Sequence, residues 1–294
     1  MSSKNSQRIL VCGARGQIGS ALSALLPGSI AVNSGEADFC HPDRVLRMIE
    51  ELSPNAVFNA AAYTQVEKAE DEEEKATLIN AVTPGKIAEW CAKSGATFVH
   101  FSTDYVFSGE GDRPRTEDDP AGPVNAYGRS KAKGDELIAA AGGRSLIFRT
   151  SWLYDWRGDN FLRKMIRLGG ELEVVRVVDD QFGSPTFAPD LAKAVVAVHE
   201  QAMRSDRFPS GVYNLCNSGE TTWFGFAKAI FDAAAKRGIP LKVHRVESLS
   251  TKEYGERVKR PKNSRLNTEK AKRVFGVSLP TWEEGLASCM ERLP

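Results

Sequence analysis

The chain has 294 residues, 39 Lys and Arg against 38 Asp and Glu for a net charge of +1, and 41% hydrophobic residues. That balance excludes a strong electrostatic pull toward nucleic acid or a membrane surface, and no apolar run approaches the roughly 20 residues that span a bilayer. Five scattered cysteines (Cys12, Cys40, Cys91, Cys216, Cys289) without CxxC spacing argue against a disulfide frame or zinc site, and the four histidines form no HExxH pair.

Short apolar runs alternate with helical patterns through the first half. Residues 8–12 read as a strand ending at glycine, with a helix following through residue 26. A second strand is expected at 29–32, a helix at 42–52 and a third strand at 56–62. Residues 67–90 read as helical with an interruption near Pro84, 97–102 as a fourth buried strand, 127–141 as a helix and 145–150 as a fifth strand. Helices follow at 188–203 and 224–236, and residues 211–215 read as a late strand of the same sheet. This order implies an α/β, Rossmann-like doubly wound parallel sheet covered on both faces, with a smaller C-terminal substrate-binding domain. The stretch from about Glu220 onward is richer in charge and loops and assigns itself to that smaller lobe. The polar N-terminus and its brief apolar run do not make a signal peptide, and the scattered thiols suit a reducing cytoplasm.

The first chemical signal is ILVCGARGQIGSAL. Gly13, Gly16 and Gly19 form G-x-x-G-x-x-G between the first strand and the first helix. Glycine there lets the backbone turn tightly and approach a pyrophosphate, and the helix N-terminus offers free N–H groups. The spacing departs from the G-x-G-x-x-G of ordinary dehydrogenases. No acidic residue ends the second strand to hold a ribose 2′-hydroxyl; Asn33 and Ser34 stand there, and Arg15 within the turn suits a 2′-phosphate. The expected coenzyme is therefore NADPH, with NADH also accepted. Asp38 and Phe39 suit the adenine, or else serve as a loop aspartate and a core phenylalanine. The small residues of Asn59-Ala60-Ala61-Ala62 let a cofactor lie against backbone, or simply fill a crowded core strand.

The second signal is Tyr127 four residues before Lys131 in NAYGRSKAKGDE. Such pairs are common on solvated helices. Here the pair follows a glycine-turn motif, opens a helix after Pro120 and Pro123, and accompanies Thr103 at the end of the fourth strand. A carbonyl that takes hydride at carbon needs a proton at oxygen. A free phenol with pKa near 10 is poorly matched to that task, and a neighbouring ammonium lowers it. Tyr127 is the expected acid, Lys131 its tuner and ribose ligand, and Thr103 the group that orients the carbonyl.

The segments GARGQIG, NAAAYTQVEKAE, FSTDYVFSG, NAYGRSK, FRTSWLY, DDQFGSPT and RPKNSRLNTEK occur in this order over nearly the whole chain. Together they resemble the dTDP-4-dehydrorhamnose reductases, a family of extended short-chain dehydrogenase/reductases. The resemblance implies NAD(P)H-dependent reduction of the 4-keto group of dTDP-4-dehydro-6-deoxy-L-mannose to dTDP-L-rhamnose. It implies a coenzyme-binding domain of residues 1–153 with 186–217 and a sugar-nucleotide domain of 154–185 with 218–294. It places Gly16, Gln17, Ile18, Asp38, Phe39, Ala62, Tyr63 and Thr64 at the coenzyme. Thr103, Asp104, Val66 and Trp152 fall at the sugar. Some family members pair through magnesium held by acidic residues, one just after the glycine turn; Ser20 and Ala21 stand there in this chain. No metal site is expected, and a monomer or weak homodimer is.

The basic run KRPKNSR, with Arg260 at its centre, suits clamping of a diphosphate, although charge runs are commonly solvated faces. Two other readings compete: a non-catalytic NADP-binding regulatory subunit of the same fold, and a reductase or epimerase of a related deoxyhexose nucleotide. Tyr127, Lys131 and Thr103 together favour an enzyme, because a binding role alone does not require all three.

Overall fold

The computed structural model describes residues 8–293. In chain order the first half runs β1 (Ile9–Cys12), α1 (Gln17–Leu25), β2 (Ile30–Val32), α2 (Pro42–Leu52), β3 (Ala56–Asn59), α3 (Val66–Ala69), α4 (Glu73–Thr77), a π turn (Leu78–Val82), α5 (Thr83–Ser94), β4 (Thr97–Thr103), α6 (Ala126–Ala141) and β5 (Arg144–Thr150). The second half adds β6 (Leu153–Tyr154), α7 (Phe161–Glu171), β7 (Val174–Val178), β8 (Phe182–Gly183), β9 (Thr186–Phe187), α8 (Ala188–Arg204), β10 (Gly211–Asn214), β11 (Thr221–Thr222), α9 (Trp223–Lys236), β12 (Arg245–Leu249), α10 (Thr251–Tyr254), α11 (Glu269–Phe275) and α12 (Trp282–Glu291).

Six strands form one parallel sheet in the order β10-β5-β4-β3-β1-β2. Alternate residues of each strand feed opposite faces. Val11, Phe58, Val99 and Phe148 pack on Leu22 of α1 and Leu191 and Val195 of α8. Their neighbours Leu10, Val57, Phe98 and Ile147 pack on Val45, Ile49, Ile87 and Ile138. Both faces are dry, which is why the strands read as continuous apolar runs. The chain reverses its direction of winding between β1 and β3, and the crevice at their carboxyl ends is where ligands of such sheets bind. A second core joins Tyr154, Leu162, Val175, Phe226, Ile230, Trp282 and Leu286, below the parallel pair β7 and β12. Among the described residues no helix is long and apolar enough to cross a membrane.

Three local expectations change. The third strand stops at Asn59 rather than residue 62: the side chain of Asn59 accepts from Ala61 N (3.1 Å) and bends the chain out of the ladder. The helical stretch breaks at residues 70–72 and widens into the π turn, which runs directly into α5; Pro84 in the first turn of α5 lacks the N–H that would pair with the Asn80 carbonyl. Residues 161–171 form an amphipathic helix and 174–178 a strand, elements the sequence reading did not assign.

Candidate active site

The glycine turn is built by close approach. Gly13 adopts φ +76°, and a Cβ there would lie 2.6 Å from Ala61 N. A Cβ on Gly19 would lie 2.1 Å from the Gly13 carbonyl oxygen. Side chains at either position would push β3 or α1 away from the turn. Gly16 is the N-cap of α1 and offers no side chain, so the first-turn N–H groups face the crevice.

A cleft of about 1170 Å³ opens at the carboxyl ends of the strands and extends to the second core. Its walls include Arg15, Gly16, Gln17, Ile18, Ala62, Thr64, Val66, Thr103, Asp104, Tyr127, Lys131, Trp152 and Arg260. Gly13 and Gly19 lie behind the turn. Four other expected coenzyme residues do not line the cleft. Asn33 spends its carboxamide on Gly35 N (2.9 Å) and Glu36 (2.7 Å). Asp38 caps Cys40 N (2.9 Å), and Phe39 is buried in the sheet core. The Tyr63 hydroxyl donates to Glu72 (3.2 Å). Glu36 also brings a carboxylate to the end of β2, where sequence reading saw none; it sits three residues late, folded back onto Asn33 N (3.0 Å).

Helix α6 presents Tyr127 and Lys131. Asn125 caps it by accepting from Gly128 N (2.8 Å), and Glu70 accepts from Ala126 N (2.7 Å). Tyr127 packs edge-on against Tyr105, with ring centres 5.5 Å apart. Desolvation raises the Tyr127 phenol, the nearby Thr103 hydroxyl pulls it down, and Asp104 and Asp135 raise it again. The expected lowering by Lys131 is thus absent from the balance. Lys131 is itself buried, its ammonium turned to the Phe101 carbonyl (2.5 Å) and His100 Nε2 (3.3 Å). Burial brings Lys131 down to about 8, against the opposing pull of Asp135.

Thr103 Oγ1 donates to Asp104 (3.0 Å) and accepts from Tyr105 N (3.2 Å). Asp104 is 2% exposed; burial pushes it up to about 7, with the hydroxyls of Ser264 and Thr103 holding it down. Opposite, Trp152 stacks on Trp223 at 3.7 Å between ring centres. It does so with φ +46°, a strained value for a tryptophan, and a Cβ on Gly183 would strike its ring at 2.5 Å. Arg260 reaches Glu67 (3.2 Å), and Arg157, Lys164 and Arg176 add three further cations to the walls.

The family model described as the RmlD substrate binding domain matches residues 7–294. The chain belongs to this family. A curated relative, dTDP-4-dehydrorhamnose reductase of Burkholderia thailandensis, is 41% identical over 97% of this chain and 99% of its own length. The reductase of the same name from Escherichia coli strain K12 is 40% identical over 97% of each chain. Among solved structures, a dTDP-4-dehydrorhamnose reductase from Bacillus anthracis in complex with NADP is 35% identical. It superposes with a TM-score of 0.87, covering 97% of this chain and 99% of that one. An ortholog from Clostridium acetobutylicum gives a TM-score of 0.89 at 34% identity, covering 97% and 99%.

Within this RmlD-family chain, sequence reading overlooked several residues beside the cleft. Asn80 is fully buried and accepts from Tyr63 N (2.8 Å) while donating to Tyr63 O (3.0 Å) and Ser130 Oγ (2.9 Å). A polar residue just before Pro84 in an apolar helical stretch was the available signal. His100 is wholly buried mid-strand among apolar neighbours, and that mismatch was visible in FVHFST. Arg149 and Asp135 pair at 3.0 Å beneath α6, and nothing in their spacing revealed it.

Proposed function

We propose that the protein reduces the 4-keto group of dTDP-4-dehydro-6-deoxy-L-mannose with NADPH to give dTDP-L-rhamnose, and that Tyr127, Thr103 and Lys131 carry the chemistry. The observation supporting this reading is the position of these three residues in the wall of the same cleft as the open N-terminus of α1. The glycine turn fits a dinucleotide, since Gly13 and Gly19 let β3 and α1 close against the turn and Gly16 brings no side chain to the start of α1. Gln17 and Ile18 would hold its pyrophosphate by main-chain N–H groups, with Gly16, whose own N–H is spent on the Gly13 carbonyl (2.9 Å), leaving the approach open; Arg15 would hold a 2′-phosphate, and Ala62 and Thr64 the adjoining wall. When bound, the coenzyme supplies hydride to the substrate carbonyl carbon.

The Tyr127 hydroxyl gives its proton to the carbonyl oxygen. Its raised pKa keeps the acid protonated at neutral pH. Thr103, held by Tyr105 N, would turn its single hydroxyl proton from Asp104 to that oxygen and so orient it. Asp104 and Val66 contact the sugar, Trp152 covers its face, and Arg260 takes diphosphate charge. The six-stranded unit then serves the coenzyme, and the unit around α7, α9 and α12 the sugar nucleotide. We assign the enzyme to the cytoplasm as a monomer or weak homodimer, with NADH as a second coenzyme.

The test is incubation with NADPH and the dTDP-keto sugar, with identification of the hexose and its C4 configuration. Stoichiometric NADPH consumption with formation of dTDP-L-rhamnose is expected. Binding of NADPH without its oxidation would instead favour a regulatory subunit, and product formation without net consumption an epimerase.

A further inference from the structure

Behind the cleft wall runs a buried polar chain that the reaction as written does not use. Asn59 Oδ1 accepts from Ala61 N (3.1 Å), so the orientation of its carboxamide is settled by the backbone beside the glycine turn. Its Nδ2 must then donate to His100 Nδ1 at 3.0 Å. A neutral ring that accepts at Nδ1 carries its proton on Nε2. That nitrogen stands 3.3 Å from Lys131 Nζ. His100 is 0% exposed and does not line the cleft, and burial together with Lys131 holds its pKa well below the usual value.

An ammonium has only donors, and an Nε2–H facing it is a second donor. The free amine has a lone pair and satisfies the contact, while still donating to the Phe101 carbonyl. We propose that His100, oriented by Asn59, is a positioning residue for Lys131: its Nε2–H accommodates the lysine in the amine form that arises when a proton is handed on during turnover. The inference rests on the proposed reductase reaction. There, Tyr127 loses its proton to the new alcohol, the phenolate is restored by a proton from the Lys131 ammonium, and solvent returns a proton to the amine. Without His100 the amine would lack a donor and the proton would be held more tightly.

The other charges around Lys131 act the opposite way or face elsewhere. Asp135, on its own helix, raises Lys131 but is engaged by Arg149 of β5. Asp104 and Tyr105, after β4, are respectively bound to Thr103 and buried with a raised pKa. Glu73 of α4 pairs with Arg129, and Glu72 with Lys68 and Lys75, on the outer side of α6. On α5, Lys86 pairs with Asp43, while Glu89 and Lys93 are exposed. The π turn carries no titratable side chain.

Two measurements test the proposal. Nitrogen-15 NMR of the histidine rings, with His100 assigned by its loss in His100→Gln, reads the tautomer without turnover. A proton on Nε2 is expected, and a proton on Nδ1 would overturn the proposal. The pH profile of kcat is the second. His100→Gln presents an amide oxygen that accepts from the ammonium, and Asn59→Asp places the ring proton on Nδ1 so that Nε2 accepts. Each should move the alkaline limb upward by about one pH unit. A lowered kcat with an unmoved limb in both variants would mean packing only and would refute it. Failure of the unaltered enzyme to turn over would instead strike the reductase reading, and the tautomer measurement would still decide the role of His100.

Discussion

Gly134 sits one turn beyond Lys131 on α6, and a Cβ there would lie 2.2 Å from the carbonyl oxygen of Asn80. Two effects compete in Gly134→Ala. Alanine in a helix interior gains up to about 1 kcal/mol over glycine. Against that, ordinary contact begins at 3.4 Å, so α6 or the π turn must move by about 1.2 Å. The obstacle is backbone, not the end of a flexible side chain. It is also the carbonyl that Pro84, lacking N–H, cannot pair with one helical turn later. Overpacking of this kind costs about 1–3 kcal/mol, and loosening the Asn80 bonds to Tyr63 and Ser130 adds about 1–3 kcal/mol for each buried group left unpaired. The clash wins: with one such group left unpaired the net loss is about 1–5 kcal/mol, lowering Tm by several degrees. Because α6 carries Tyr127 and Lys131, a shift near 1 Å should lower kcat/KM about 10²-fold. NADPH affinity should change much less, since the glycine turn belongs to β1 and α1. Calorimetry, steady-state kinetics and a coenzyme titration read the three quantities. Gly170→Ala in α7, whose Cβ would meet nothing closer than 3.8 Å, is the control and should be neutral or stabilising. A Gly134→Ala protein with unchanged Tm and kcat/KM would show that α6 is not seated on the π turn as described.

Tyr127→Phe should reduce kcat by about 10²–10⁴-fold while NADPH binding stays within about twofold; turnover near the unaltered rate would remove Tyr127 as the acid. Asp104, raised to about 7 by burial, stabilises the fold fully below its unfolded pKa near 4 and loses that contribution as pH rises through 7. Asp104→Asn should therefore gain Tm relative to the unaltered protein between pH 4 and pH 8, by a few kcal/mol in stability, and an equal Tm difference at both pH values would contradict the desolvated carboxyl. Asp135→Asn leaves the Arg149 guanidinium buried without its counter-charge and should cost about 3–5 kcal/mol in denaturant unfolding; a loss under about 1 kcal/mol would mean that water reaches the guanidinium.

The sheet was legible because its strands are buried on both faces and need no alternation to be recognised. Even β10, far along the chain, announced itself as a short apolar run next to a turn. That Tyr127, Lys131 and Thr103 would share one cleft was legible because the strand ends restrict their places. What escaped had a tertiary origin. Tyr63 was expected at the coenzyme, but its hydroxyl bonds to Glu72; for Phe39 the packing takes the core alternative. Asn33 was read as an open coenzyme contact, whereas Glu36, three residues later, occupies it. The interaction of His100 with Lys131 joins a strand to a helix 31 residues away, and no local pattern encodes it.

The position of β10 has a consequence for how the chain is made. β5 is complete at Thr150, yet the strand that covers its free edge begins only at Gly211, after α7, the β7 segment and α8 have been synthesised. During elongation the growing chain therefore exposes a seven-residue edge with Leu146, Ile147 and Phe148 at its centre until some sixty further residues have left the ribosome. Release of the nascent protein from chaperones should coincide with emergence of the Gly211–Asn214 strand, and a chain stopped just before it should aggregate through the uncovered edge.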